Sequence, residues 1–242
     1  ILEVQGISLI SRAVLIAEKI KEIRWLIVST DDREIALEAE RAGAEIPFLR
    51  PKALARSNTP MLAVLKHAFE WLQDSKTFGD NACEGLVLLQ PTSPMRKTEH
   101  VVGAIKRYRE ARTRNKNIAG VQTVSPVPDA YSAPNLRQSG HIAKLMEWAK
   151  LPAVKLRRTG RFSKGTNLYY RNGAAVVLDT KKLEALNLLS GAVMPYVIDQ
   201  PLMTIDTIFD LLRIEHCAGN LEPDPREIGW KSVFNADARK RK

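Results

Sequence analysis

Only two cysteines, Cys83 and Cys217, occur in 242 residues, and neither stands in a Cys-x-x-Cys or His-rich spacing. That scarcity argues against a metal cluster or thiol redox centre and favours a reducing setting with both thiols structural. Aromatic residues are scarce too, at 6%, whereas nucleic-acid modules interleave stacking aromatics with basic side chains. No apolar run approaches the ~20 residues that a helix needs to cross a bilayer. No basic segment leading into an apolar one resembles a signal peptide. The expectation is a cytoplasmic protein that engages neither nucleic acid nor membrane.

What is present is apolar mass and positive charge. Hydrophobic residues make up 45% of the chain, enough for the core of one α/β domain of ordinary size. The formal charge is +10 and the pI about 9.7, with basic residues gathered in KLRRTGRFSK (Lys155 to Lys164) and in the terminal ARKRK. With so few aromatics beside them, these charges point to a small phosphorylated or acidic substrate rather than to a polynucleotide.

Strand and helix patterns alternate along the chain. Ile10, Ala13, Val14, Ala17 and Ile20 recur at helical spacing over 9–20, with Arg12, Glu18 and Lys19 on other faces. Trp25 to Val28 form a continuous apolar run ending in STDD, which reads as a fully buried strand of a parallel sheet. Asp31, with Glu34 three residues on, is the expected cap of the helix REIALEAERA, and Gly43 closes it. A short strand at AEIPFLR, a helix over Thr59 to Gln73 with Pro60 in its first turn, the strand LVLLQ, the helix TEHVVGAIKRYREA and the strand IAGVQTV follow. The order implies a three-layer α/β/α sandwich, Rossmann-like, with a mostly parallel sheet. The Pro-, Ser- and Arg-rich stretch 125–167 is too long for an ordinary connection and reads as a lid or dimerisation insert. GAAVVLD resumes the sheet, a last helix follows, and 221–242 reads as a basic, flexible tail.

Ligands of open α/β sheets collect at the carboxyl ends of the strands, and four polar constellations belong there. STDD is a candidate site by its place at a strand end, although helix capping is the favoured account of it. QPTSP (90–94) supplies an amide and two hydroxyls in a proline-braced loop, more than a cap needs; Thr98 is the expected cap of the helix that follows. In MTIDTIFD, Asp206 and Asp210 open the final helix, where a carboxylate serves equally as a cap or as a ligand for Mg²⁺. NLYYRNG places Tyr170, Arg171 and Asn172 before a buried strand, beside the basic insert, where an acidic substrate would bind.

The segments IVSTDDREIALEAERAGAEIPFLRPKALA, LVLLQPTSPMRKTEH, NLYYRNGAAVVLD and IDTIFDL, in this order and at these separations, resemble the acylneuraminate cytidylyltransferases. The likeness runs from Ile1 to about His216. It implies a nucleotide-diphospho-sugar transferase fold over 1–220, a homodimer, and Mg²⁺-assisted transfer of CMP from CTP to the anomeric hydroxyl of an acidic nine-carbon sugar. It implies that Gln90, Thr92 and Ser93 line the sugar and phosphate crevice and that Arg50 lies near the cytosine. Arg161 would meet the sugar carboxylate, Tyr170 and Asn172 would contact substrate, and Asp206 would hold the metal, with Asp206 and Gln90 carrying the catalytic assignment. Two departures stand out. Thr204 occupies the place of the family's first metal aspartate, so that either Asp206 binds the ion with water and phosphate, or Asp199 contributes, or metal binding is weakened. The family's glycine-rich triphosphate loop aligns just before Ile1 and is not among these residues, so little activity is expected of them alone.

Overall fold

The protein's structure, a computed structural model, describes residues 1–74, 83–126, 169–183, 193–217, 219 and 221–222. The expected insert beyond Pro126, Arg161 and the tail beyond Glu222 lie outside the described residues.

The chain opens in a hairpin of Glu3–Val4 (β1) and Ile7–Ser8 (β2), turned by Gln5 and Gly6 at φ 51° and 71°, the paired positive φ that a two-residue hairpin turn demands. Helix α1, Leu9–Glu18, begins where the Ser8 hydroxyl accepts the Ser11 N–H. It is buried almost all round, including Arg12, at 1% exposure. Arg12 was expected on a polar face; instead its guanidinium donates to the carbonyls of Val4, at 2.7 Å, and Glu222, at 2.8 Å.

Helix α2, Arg33–Arg41, is capped by Asp32 rather than by Asp31. Asp32 is extended, and its carboxylate accepts from the N–H groups of Glu34 and Ile35, the donors that an N-cap satisfies. Gly43, at φ 110°, ends α2 as expected, and a Cβ there would run into the Glu18 carboxylate. The preceding run Trp25 to Val28 differs from the sequence reading. It makes a single parallel bridge, Ile27 to Glu45, and its residues are half-buried. One face of it, through Leu26 and Val28, packs on Val14, Ala39 and Ala44, so burial is one-sided among the described residues.

Helix α3 is Met61–Asp74, with Pro60 just ahead of it. Strand β3, Gly85–Leu88, leads to helix α4, Thr98–Arg114, and strand β4, Gly120–Pro126. Strand β5, Tyr169–Asp179, is followed by β6, Val193–Val197, and helix α5, Ile208–Cys217. Sequence reasoning missed β6, whose centre is Pro195. Among the described strands it lies at the sheet's edge, where a strand tolerates proline.

The sheet runs β3-β5-β4-β6 and is mixed. Strands β3, β4 and β6 share one direction, β4 and β6 pairing in parallel, and β5 runs against both its neighbours. Alternation along β5 sends Ala175 and Val177 to one face, against Ile16 and Ile20 of the α1 end and Val101, Ala104 and Ile105 of α4. Val176 and Leu178 go to the other, against Leu62, Leu65 and Phe69 of α3. Helices therefore cover both faces, giving the three layers.

Candidate functional site

Because β3 and β6 both run towards the end of the sheet at which antiparallel β5 begins, three of the polar constellations meet there. Register confirms the placement: Tyr170 lies opposite Ser125 and Arg171 opposite Val124 at the end of β4.

The loop after β3 folds as two successive turns, with the Ser93 N–H on the Gln90 carbonyl and the Arg96 N–H on the Ser93 carbonyl, both at 3.2 Å. The Thr92 carbonyl then accepts the Ile205 N–H at 2.8 Å, tying this loop to the segment that carries Thr204 and Asp206. Gly173 sits between the two. An ideal Cβ there would stand 2.4 Å from Ser93 Oγ and 3.4 Å from both Gln90 Oε1 and Thr204 Cγ2. With φ at 67° as well, the position needs glycine on two independent grounds. The structure thus brings Gln90, Ser93, Gly173 and Thr204 together.

Two residues expected to face a ligand are turned inward. Ser93 is 2% exposed, and its hydroxyl donates to the Asn172 carbonyl at 3.3 Å. Asn172 is wholly buried. Its Oδ1 accepts from the Thr123 hydroxyl, at 2.6 Å, and the Ala174 N–H, at 3.1 Å, while its Nδ2 donates to Ser125 Oγ at 2.9 Å. The reason lies in β4, where the pairing with β5 shifts register between Gln122 and Val124. The irregular ladder leaves backbone groups to be met by side chains, and Asn172 Oδ1 and Thr123 Oγ1 meet them, accepting the N–H groups of Ala174 and Ala175. Tyr170 is half-buried, donating to the Leu202 carbonyl at 3.0 Å, and burial pushes its hydroxyl pKa up. Thr92 stays exposed and Gln90 half-buried.

At the start of α5 the two aspartates divide their roles. Asp210 accepts from the Thr207 N–H and hydroxyl, both at 2.8 Å, and Thr207 Oγ1 accepts the Asp210 N–H at 3.3 Å. This is a reciprocal capping box, and the hydrogen bonds from Thr207 and the Asp206 N–H hold the Asp210 carboxyl below its ordinary pKa. Asp206 is therefore released from capping. Its exposed carboxylate accepts only the Thr204 hydroxyl, at 3.2 Å, among the hydrogen bonds at this turn. Thr98 is likewise not a cap: it is the first residue of α4, and its N–H and hydroxyl both reach Glu222 Oε2.

Arg50 lies on the segment that follows the Ile27–Glu45 bridge. Its N–H donates to the Thr30 carbonyl at 2.8 Å and its Nη2 to the Ser29 carbonyl at 2.5 Å, while Nε is buried with no hydrogen-bond partner among the described residues. Sequence reasoning gave no role to Arg96, the last residue of LVLLQPTSPMR. It is 1% exposed and donates through Nε to the Ala174 carbonyl and through Nη2 to the carbonyls of Gln90 and, at 3.4 Å, Gly173. Burial draws its pKa down to about 9, which still leaves a cation at neutral pH. An arginine closing an apolar, proline-rich loop was the available signal.

No protein-family model matches the chain. Over 123 residues it is 29% identical to the CMP-N,N'-diacetyllegionaminic acid synthase of Legionella pneumophila, which covers 51% of this chain and 50% of that protein. Over 83 residues it is 36% identical to the N-acylneuraminate cytidylyltransferase of Escherichia coli O18:K1:H7, which covers 34% of this chain and 18% of that protein. These matches support the acylneuraminate cytidylyltransferase family. The chain spans about half the length of the first relative and less than a fifth of the second. Among solved structures, CMP:2-keto-3-deoxy-manno-octonic acid synthetase complexed with CTP superposes with a TM-score of 0.59 over 88% of both chains at 10% identity. The α/β sandwich expected of an acylneuraminate cytidylyltransferase is thus the fold observed.

Proposed function

We propose that the protein is a cytidylyltransferase that transfers CMP from CTP to the anomeric hydroxyl of a nonulosonic acid, releasing pyrophosphate. The observation that carries this reading is the meeting of the Gln90 loop, the Asn172–Gly173 turn and the Thr204–Asp206 segment at one end of the sheet. The names of the two sequence relatives and the CTP complex of the structural neighbour support the substrate classes.

In this reading Gln90 and Thr92 contact the reacting groups directly. Ser93 and Asn172 hold the loop and strand in place behind them, and Tyr170 fixes the Leu202 segment. Arg50 serves the cytosine and Arg161 the sugar carboxylate. Transfer to phosphorus depends on orientation and charge stabilisation more than on covalent participation of the protein, which suits a site built from amides, hydroxyls and cations.

Among the described residues no group of three or more His, Cys, Asp or Glu is placed to hold a metal ion. One exposed carboxylate beside a hydroxyl fits Mg²⁺ nonetheless, since that ion is usually held by one or two carboxylates together with substrate phosphates. Asp206 is the residue that would hold it, with Thr204 orienting the carboxylate. When bound, the ion would neutralise triphosphate charge. The protein acts as a homodimer in the cytoplasm.

The test is direct. The intact protein, given CTP, Mg²⁺ and N-acetylneuraminic, legionaminic or pseudaminic acid in turn, is expected to form one CMP-sugar and pyrophosphate, read by mass spectrometry. Absence of a CMP-sugar with every acid would refute the proposal.

A further inference from the structure

Among the described residues Arg96 differs from the buried Arg12 and the part-buried Arg112 in making no hydrogen bond or ion pair to a carboxylate. Arg112 pairs with Asp179 at 3.2 Å, and Arg12 is drawn electrostatically to Glu215. The three side-chain hydrogen bonds of Arg96 end on the carbonyls of Gln90, Gly173 and Ala174, and nothing opposes the effect of burial on its guanidinium. Lys97 follows it, His100 is held towards its neutral form chiefly by burial, and the nearby carboxylates of Glu99 and Glu222 are engaged by His100 and Thr98 rather than by Arg96.

A buried cation without a counter-charge is costly, even where dipoles partly compensate it. Here the carbonyls that hold it come from the two strands and loops that build the candidate site. Two of them, Gln90 and Gly173, bracket the point where the Gln90 amide and Thr204 approach each other. We infer that Arg96 is a positioning residue that places a net positive charge behind the Gln90–Ser93 turn, and that an anionic group of the substrate, phosphate or sugar carboxylate, supplies the missing counter-charge. The inference rests on the proposed function, which makes both substrates acidic. Arg96 then does two things through Gln90: it clamps the loop to β5, and it biases the crevice towards anions before any ligand arrives.

Calorimetric binding to the intact protein separates charge from scaffolding, with CTP against cytidine, and N-acetylneuraminate against its methyl ester, as matched probes. Arg96→Met is expected to weaken the charged member of at least one pair by about tenfold or more while its neutral partner changes less than about threefold. The pair that responds identifies the anion. Arg96→Lys, which keeps the charge, is expected to hold the charged-to-neutral ratio within about threefold of wild type. A purely structural role would weaken both members alike in Arg96→Met and overturns the inference. Should Arg96→Met fail to fold by circular dichroism, Arg96→Gln, which keeps amide donors without the charge, takes its place: a fall of about tenfold in the charged-to-neutral ratio sustains the inference, and a ratio within about threefold overturns it. Wild-type protein that binds none of the four probes overturns the proposed function and this inference together. Wild type that binds the acids, with the ratio unmoved in Arg96→Met, overturns this inference alone.

Discussion

Replacing Gly173 with alanine tests whether the site's parts interlock as the structure places them. Two penalties act at once. An L-residue at φ 67° costs about 1–2 kcal/mol relative to glycine. The new Cβ would also stand 2.4 Å from Ser93 Oγ, and Ser93 cannot simply withdraw, being 2% exposed and bonded to the Asn172 carbonyl. Overpacking of that kind costs about 1–3 kcal/mol. Together they predict a loss of about 3 kcal/mol, a substantial share of the ~5–15 kcal/mol of a typical domain. Urea denaturation followed by circular dichroism measures it, and a matching fall of roughly 6–12 °C in Tm is expected. The double variant Gly173→Ala/Ser93→Ala removes the clash and leaves the φ strain, so it should be more stable than additivity of the single changes allows, by about 1–2 kcal/mol. A Gly173→Ala protein within about 0.5 kcal/mol of wild type, or a double variant that is strictly additive, would refute the reasoning.

Asp32→Ala should lower stability by about 1 kcal/mol through loss of the α2 cap, whereas Asp31→Ala should stay within about 0.5 kcal/mol; paired urea curves separate the two. Asp206→Asn should reduce CMP-sugar formation by about a hundredfold or more, the scale seen on removing one charge-stabilising group, with an unchanged unfolding midpoint. Asp210→Asn should lower that midpoint through loss of the capping box. Because the folded Asp210 carboxyl is held below its ordinary pKa, its contribution is present above the ordinary carboxyl range and is lost as pH falls through the folded value. The gap between wild type and Asp210→Asn should therefore narrow in acid, as read from denaturation midpoints across that range.

Much of the fold was legible because it is written in local patterns. The 3.6-residue spacing of α1, the proline at the head of α3, the run before Gln90 and the glycine after α2 each depend on neighbours within a few positions. Strand β6 was not legible, because Pro195 argues against a strand until the edge position is known. The half-burial of Trp25 to Val28 was not either: an apolar run states that a segment is compatible with burial, and only its packing partners state how far it is buried.

The same division runs through the candidate site. Sequence order and residue type nominate Gln90, Thr92 and Asp206 as candidates, since amides, hydroxyls and carboxylates at strand ends and helix starts are visible in the chain. Tertiary structure alone decided that Ser93 and Asn172 face inward, that Asp210 rather than Asp206 caps α5, and that Arg96 lies beneath the loop. Those outcomes turn on a register shift in β4, a positive φ at Gly173 and the approach of residues 77 to 79 positions apart. A side chain's orientation is set by which carbonyls and N–H groups remain unpaired around it, and that accounting exists only once the strands have met.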